Sequence, residues 1–320
     1  MPLPALKDSY PAGVNVVTLG ATRDQGGTRS IVHQIGGAKT LPFMDSDGAV
    51  GHKVLIAMDV LDAAPEGWPD VLKEAYGGVL GDPAAWAKKC VEEFGADLIC
   101  VKLDGIDPDG ANRSADDAVA AVRAVLGAVG VPLIVWGCGI DAKDNEVLPK
   151  VSGATKGERI LIGCAKQDNY KRLVASCIAD GHNLINLAPL DINIAKQVNT
   201  LVTEMELPAD RIVMFQTSGA LGYGIEYAYS IQERQRLAAL GGDKMMMMPV
   251  ICDVGYEAWR AKEARIPDAE APEWGAQAQR GPMWEAATAI ALAQAGCDIL
   301  RMRHPRAVAA VKKALKGLQG

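Results

Sequence analysis

Short apolar runs in this chain repeatedly end in a residue capable of chemistry. Val54–Met58 is followed by Asp59, and Asp97–Lys102 ends in a lysine with Asp104 two positions on. Pro132–Trp136 runs into Gly137-Cys138-Gly139, and Asn183–Leu187 leads to Asp191 and Asn193. Ile212–Phe215 leads to Ser218 and Tyr223, Met245–Ile251 to Cys252 and Asp253, and Asp298–Met302 to Arg303 and His304. Carboxylates, thiols, hydroxyls and amides at such positions can move protons, attack carbonyls or hydrogen-bond the polar edge of a ligand. Lys102 has the type and place of a Schiff-base lysine, with a plain ion pair to Asp104 or Asp59 as the alternative. Cys138, Cys164 and Cys252 read as small core residues, and the run Met245–Met248 as pliable packing in a strand. His33, His52, His182 and His304 are too dispersed for a metal motif, so no metal ligand and no catalytic residue is assigned. Asp180-Gly181-His182 opens like the D-x-H-x-x-G box that gives cobalamin a histidine ligand. Ile185 stands where the box needs glycine, and His182 precedes a predicted strand, at the end away from the other candidates.

The elements that position these residues form a rhythm of eight apolar runs alternating with helical stretches, at 70–76, 83–94, 115–129, 144–151, 167–180, 194–205, from about 226, 284–295 and 305–318. Ser114 is placed to cap the 115–129 helix through its hydroxyl. The runs are continuously apolar, which is the pattern of strands covered on both faces of a parallel sheet. An α/β fold of the (β/α)8 TIM-barrel class follows, with function at the C-terminal strand ends. An open doubly wound sheet is the alternative, but no GxGxxG turn follows an early strand. Residues 51–320 make the predicted barrel. Residues 1–50 make an extension, with strands at Val14–Leu19 and Ser30–Ile35 forming a hairpin flap. The stretch Asp253–Gly281 is too long for a bare connector and reads as a functional or interaction segment.

Glycines crowd one strand exit, Ser218-Gly219-Ala220-Leu221-Gly222-Tyr223-Gly224. Such a loop can cradle phosphate at a helix N-terminus, let backbone approach a broad flat ligand, or simply turn the chain. It lacks the Lys-Ser/Thr of a nucleotide P-loop.

Composition bounds the rest. The 320 residues carry a net charge of −6, which argues against nucleic acid or an anionic membrane as partner. No apolar run is long enough to span a bilayer, and MPLPALKDSY shows no secretory apolar stretch. Seven cysteines, an odd number with no CxxC pair, suggest reduced thiols in a cytoplasmic protein. They also argue against an iron–sulfur cluster within this chain.

LGATRDQGGTRS at 19–30, VKLDGIDPDGAN at 101–112, PLDINIAKQ at 189–197, GALGYGIEYAYSIQERQRL at 219–237, MPVICDVGYEAWRAKEA at 248–264 and RMRHP at 301–305 are similar to the small, or delta, subunit of the corrinoid iron–sulfur protein. That protein is the methyl carrier of the CO dehydrogenase/acetyl-CoA synthase pathway. The resemblance spans nearly the whole chain and implies a barrel paired with a large subunit as a heterodimer. It implies cobalamin between the large subunit and the barrel top, and a 4Fe–4S cluster in the large subunit rather than here. It implies a methyl group received from methyltetrahydrofolate methyltransferase and delivered to CO dehydrogenase/acetyl-CoA synthase. Corrin contacts are then expected at Asp104, Cys138, Asn193, Ser218, Gly222, Tyr223 and Gly224. The interface is expected to involve the hairpin and the barrel-top loops together. Two other functions stay open from the residues: a pterin-dependent methyltransferase barrel acting on a corrinoid protein, and a lysine-dependent aldolase.

Overall fold

The computed structural model describes residues 7–318; the first six residues of the N-terminal extension lie outside that range. Eight parallel strands form the sheet: β3 (Leu55–Leu61), β4 (Leu98–Lys102), β5 (Leu133–Trp136), β6 (Leu161–Ala165), β7 (Asn183–Leu187), β8 (Ile212–Phe215), β9 (Ile251–Cys252) and β10 (Ile299–Met302). Their order is β8-β7-β6-β5-β4-β3-β10-β9, and a single bridge, Met214 to Val250, brings the two ends together. Helices follow the strands, and the fold is the expected (β/α)8 barrel.

The continuous apolar pattern has a direct cause. Leu55, Ala57, Leu98, Cys100, Ile134, Trp136, Leu161, Ile185, Val213, Phe215, Ile251 and Ile299 fill the inside of the barrel. The alternate residues, among them Ile56, Met58, Ile99, Val101, Val135, Leu184, Met214 and Leu300, pack outward against the helices. Neither face meets water, so both are apolar except where a buried polar group is paired.

β1 (Val16–Leu19) and β2 (His33–Gly36) form the antiparallel hairpin. The hairpin is the expected one, and its apolar face packs into the barrel. Val17, Leu19 and Ile35 belong to the interior cluster of the barrel. Asn183, the first residue of β7, donates its Nδ2 hydrogen to the Thr18 carbonyl at 2.8 Å. Arg29 pairs with Glu158 at 3.0 Å and donates to the Val129 carbonyl, both ahead of strands β6 and β5. The hairpin therefore stoppers the N-terminal end of the barrel, opposite the strand ends that carry the candidate residues.

Other boundaries shift for local reasons. Met245–Ile251 is not a strand: Lys244–Met246 forms a 3-10 turn capped by Asp243, leaving only Ile251–Cys252 in the sheet. Met246 and Met248 are nonetheless buried packing. Asp59 is not at a strand end, because β3 continues to Leu61. The stretch 253–281 contains short helices at Val254–Ala258 and Lys262–Arg265, and a long helix begins at Gln277 rather than at 284. Ser114 caps its helix as expected, accepting from the Asp117 N–H while Asp117 returns the bond.

Candidate functional site

The floor of the barrel mouth is a buried ion quartet. Arg301 of β10 meets Asp59 of β3 through two bonds, Nε to Oδ1 at 2.5 Å and Nη2 to Oδ2 at 3.1 Å. Arg303 Nε donates to the same Oδ2 at 2.9 Å, and Arg301 Nη1 lies 3.1 Å from Asp253 Oδ2. The Asp59 and Arg301 side chains are 0% exposed. Burial pushes the Asp59 carboxyl upward, yet Arg301 and Arg303 together hold it below the ordinary aspartate range. Burial acts to lower Arg301, and Asp253 and Asp59 outweigh it. Asp253 comes out the other way: burial raises it, with Arg301 opposing. Its Oδ1 is buried with no hydrogen-bond partner. The Trp136 ring lies 4.4 Å from the Arg301 guanidinium carbon and meets Phe215 edge-on. Asp59 is thus paired with both arginines under an aromatic cover, whereas Asp253 faces Arg301 as an ion pair without a hydrogen bond.

Arg301 was not among the residues singled out from the sequence. The signal was present: a charge inside the apolar run Ile299–Met302 needs a buried partner, and Asp59 inside Leu55–Leu61 supplies it on the neighbouring strand.

Above this floor stand the expected contact residues. Asp104 pairs with Lys102 at 3.1 Å, and Lys102 also donates to the Gly137 carbonyl. The lysine is therefore engaged by an anion and a carbonyl, the ion-pair alternative rather than a free amine. Cys138 donates its thiol to Asp144 at 3.3 Å, and burial above all pushes that thiol up to about 11. It is held as a neutral thiol, not a nucleophile. Asp144 also takes the backbone N–H groups of Cys138 and Gly139, which fixes the β5 exit. Asp191 serves as the helix cap for Ile192–Glu204, accepting from the Asn193 and Ile194 N–H groups, so Asn193 is exposed on the first turn. Ser218 accepts from the Asp253 N–H at 2.8 Å, tying the β8 exit to the quartet.

The glycine loop is a pinned turn. Gly222 and Gly224 have φ of +76° and +90°, the left-handed region that glycine adopts without strain. Trp284 Nε1 donates to the Leu221 carbonyl at 3.0 Å, the Leu221 N–H to Thr288, and the Lys262 N–H to the Tyr223 hydroxyl. A Cβ on Gly222 would meet only the Trp284 ring, at 3.7 Å. Leu190 and Thr217, neither a glycine, also sit at positive φ of 45° and 62° just beyond β7 and β8. Strain of this kind gathers where a site must be held in one shape. His182 lies at the other end, fully buried with Nε2 3.0 Å from the Ser152 carbonyl.

Exposed apolar side chains concentrate on this face. Ile140 follows β5, Leu190 and Ile194 follow β7, Leu221, Tyr223 and Tyr227 follow β8, and Tyr256 follows β9. Tyr223 is 48% exposed and Tyr227 65%. A soluble surface rarely leaves several large apolar groups on one set of loops unless something covers them. The donors and acceptors among them, Asn193, Ser218, Asp104 and Tyr223, are few and peripheral, which suits a broad apolar ligand with polar edges.

The chain is similar throughout its length to known proteins. A sequence model of the family described as CO dehydrogenase/acetyl-CoA synthase delta subunit matches residues 16–272. Acetyl-CoA decarbonylase/synthase complex subunit delta of Archaeoglobus fulgidus is 39% identical over 319 residues, covering 98% of this chain and 70% of that one. Subunit delta 1 of the same complex in Methanosarcina thermophila is 36% identical over 334 residues, covering 99% and 76%. Among solved structures, dihydropteroate synthase of Xanthomonas albilineans superposes with a TM-score of 0.56 at 14% identity, over 84% of this chain and 94% of that one. The same enzyme from Coxiella burnetii, in complex with pteroic acid, gives 0.56 at 12% identity, over 83% and 94%. At such identities the likeness is one of fold.

Proposed function

We propose a function from one premise: the chain belongs to the CO dehydrogenase/acetyl-CoA synthase delta-subunit family. It serves as the small subunit of a cytoplasmic, heterodimeric corrinoid iron–sulfur protein in the reductive acetyl-CoA pathway of anaerobic carbon fixation. The large subunit brings the 4Fe–4S cluster, and cobalamin lies between the two subunits against the barrel mouth. The bound corrinoid supplies the cobalt that carries a methyl group from methyltetrahydrofolate methyltransferase to acetyl-CoA synthase.

The observation that carries this reading is the contrast between a closed floor and an apolar rim. With Asp59 and Arg301 fully buried and joined by two hydrogen bonds, the mouth offers a lid-like surface rather than a well. A broad, uncharged macrocycle fits such a surface, resting on apolar groups such as Ile140, Leu190 and Tyr223. Asn193, Ser218 and Asp104 would hold its peripheral amides, and Cys138, Gly222 and Gly224 border it. The thiol of Cys138 and the amine of Lys102 are both engaged within the protein, so this chain's residues bind, orient and exclude water; the reactive centre belongs to the cofactor.

Purification from the native host, with a visible spectrum and metal analysis, tests the reading. Cobalt and iron eluting with this chain and one larger polypeptide is the expected result. Methyltetrahydrofolate binding by this chain alone, with no cobalt in the native complex, would replace it with the pterin-dependent methyltransferase reading. Borohydride trapping of an adduct on Lys102 would replace it with an aldolase.

A further inference from the structure

Beside the mouth, between the β3 exit and the 253–266 segment, lies a cleft of about 330 Å³ open to solvent. Three arginines line it, Arg260, Arg265 and Arg303, in a chain whose net charge is −6. Arg303 is only 6% exposed. Its guanidinium lies between two rings, 4.9 Å from the centroid of Trp68 and 5.5 Å from that of Tyr256. Its Nε is used by Asp59, whereas Nη1 and Nη2 donate to no protein atom among the described residues. A guanidinium carries five N–H donors in a planar fork, so the unused edge is a ready-made receptor held rigid by its aromatic walls. The cation of Arg260 shares the other wall, 4.9 Å from the Tyr256 centroid, with Glu257 only a distant partner at 3.5 Å. Arg265 is exposed and makes no ion pair among the described residues. Two acids also line the cleft. Asp104 is matched by Lys102, and Glu66 is exposed.

We propose that this cleft is a binding site for a phosphate group of a small molecule, seated on the free edge of Arg303 and closed over by Arg260 and Arg265. The choice of phosphate follows from the number of cations. One arginine fork satisfies a carboxylate, whereas a tetrahedral dianion has oxygens for three. The site stands whether or not the chain carries cobalamin.

The test is calorimetric titration of the full-length chain with inorganic phosphate and pyrophosphate, beside glutarate as the carboxylate probe. Arg260→Gln and Arg265→Gln change exposed side chains, and circular dichroism checks that both variants keep the fold. Saturable single-site phosphate binding, weakened roughly tenfold by each substitution, is expected, since a charge-assisted hydrogen bond of ordinary strength is lost. Arg303→Lys, which keeps the charge opposite Asp59 but removes the fork, should weaken binding further. Absence of saturable phosphate binding would overturn the proposal, as would affinity unchanged in Arg260→Gln and Arg265→Gln. Glutarate binding more tightly than phosphate would overturn the assignment to phosphate.

Discussion

Replacing Asp59 with Asn tests the architecture of the mouth most directly. The substitution keeps the shape and removes one negative charge from a group that is 0% exposed. Arg301 retains Asp253 at 3.1 Å, but Arg303 loses its single carboxylate. Two charges about 4 Å apart at an effective dielectric of 20 attract by about 4 kcal/mol. Breaking a buried pair by removing one partner costs about 3–5 kcal/mol. Spread over the unfolding entropy of a chain this size, that is a fall in Tm of about 4–7 °C. Asp253→Asn makes the contrast. Burial raises the carboxyl of Asp253, one of its oxygens is unpaired, and Arg301 would keep both bonds to Asp59. Its neutralisation should cost less than that of Asp59 by about 2 kcal/mol. Urea unfolding followed by circular dichroism, with unchanged slope, measures both. The pH dependence has a definite sign. Because the folded-state pKa of Asp59 is depressed, its contribution is complete above the unfolded value near 3.9 and is lost as pH falls toward the folded value. The gap between wild type and Asp59→Asn should therefore narrow only in acid, below about pH 4. An Asp59→Asn loss under about 1 kcal/mol, or one equal to that of Asp253→Asn, would refute the quartet as the organising floor.

Leu19→Ala should destabilise by about 2–5 kcal/mol in the same urea assay, because its side chain is buried in the barrel interior rather than in a detachable flap. Gly222→Ala should cost about 1–2 kcal/mol from its left-handed backbone alone, with no clash inside the chain, and should lower cobalamin content in the folded variant; wild-type cobalamin content would show the turn to stand clear of the ligand. Glu285, buried at the mouth and bonded to Trp259, Arg303 and His304, has its carboxyl pushed up to about 7 by burial. The folded chain then takes up a proton that the unfolded chain does not, so the stability of the wild type relative to Glu285→Gln should rise by about 1 kcal/mol as pH falls from about 8 to 6.5. The neighbouring His304, held neutral by burial down to about 4, works in the opposite sense through the same window in both proteins, so the difference between them isolates Glu285.

Much of the fold was legible because the two-sided burial of a parallel strand leaves a continuous apolar run, and eight such runs were present. What was lost has physical causes. Met245–Met248 has the apolarity of a strand, but Asp243 takes the Met245 N–H and starts a 3-10 turn instead. The helix from Gln277 starts ahead of the expected 284 because Pro282, its sixth residue, is tolerated inside it: the Ala278 carbonyl that proline leaves without a backbone donor accepts from Arg306 Nη1 instead. The hairpin was legible as a hairpin; its place was not, since Val17, Leu19 and Ile35 say only that one face is covered. At the mouth, the strand-end residues were legible by position, and the structure brings Ser218 against Asp253, Cys138 against Asp144, and Tyr223 against the 262 backbone. Arg301 escaped because a single charge in an apolar strand names no partner until the strand order is known.

The stopper at the foot of the barrel has a consequence for how the chain is made. Its apolar face leaves the ribosome ahead of the barrel, yet the surfaces it covers belong to strands synthesised later. Gly36 packs against Pro249, roughly 200 residues on, and at about 5–20 residues per second the hairpin waits some 10–40 s for that partner. During that interval Val17, Leu19 and Ile35 have no interior to enter, and a two-stranded hairpin alone is at best marginal in water. The hairpin's contacts thus form well after its own synthesis, which places it among the nascent segments a chaperone would hold. The native seal between first and late elements also raises the sequence separation of contacts, the topological property that slows folding.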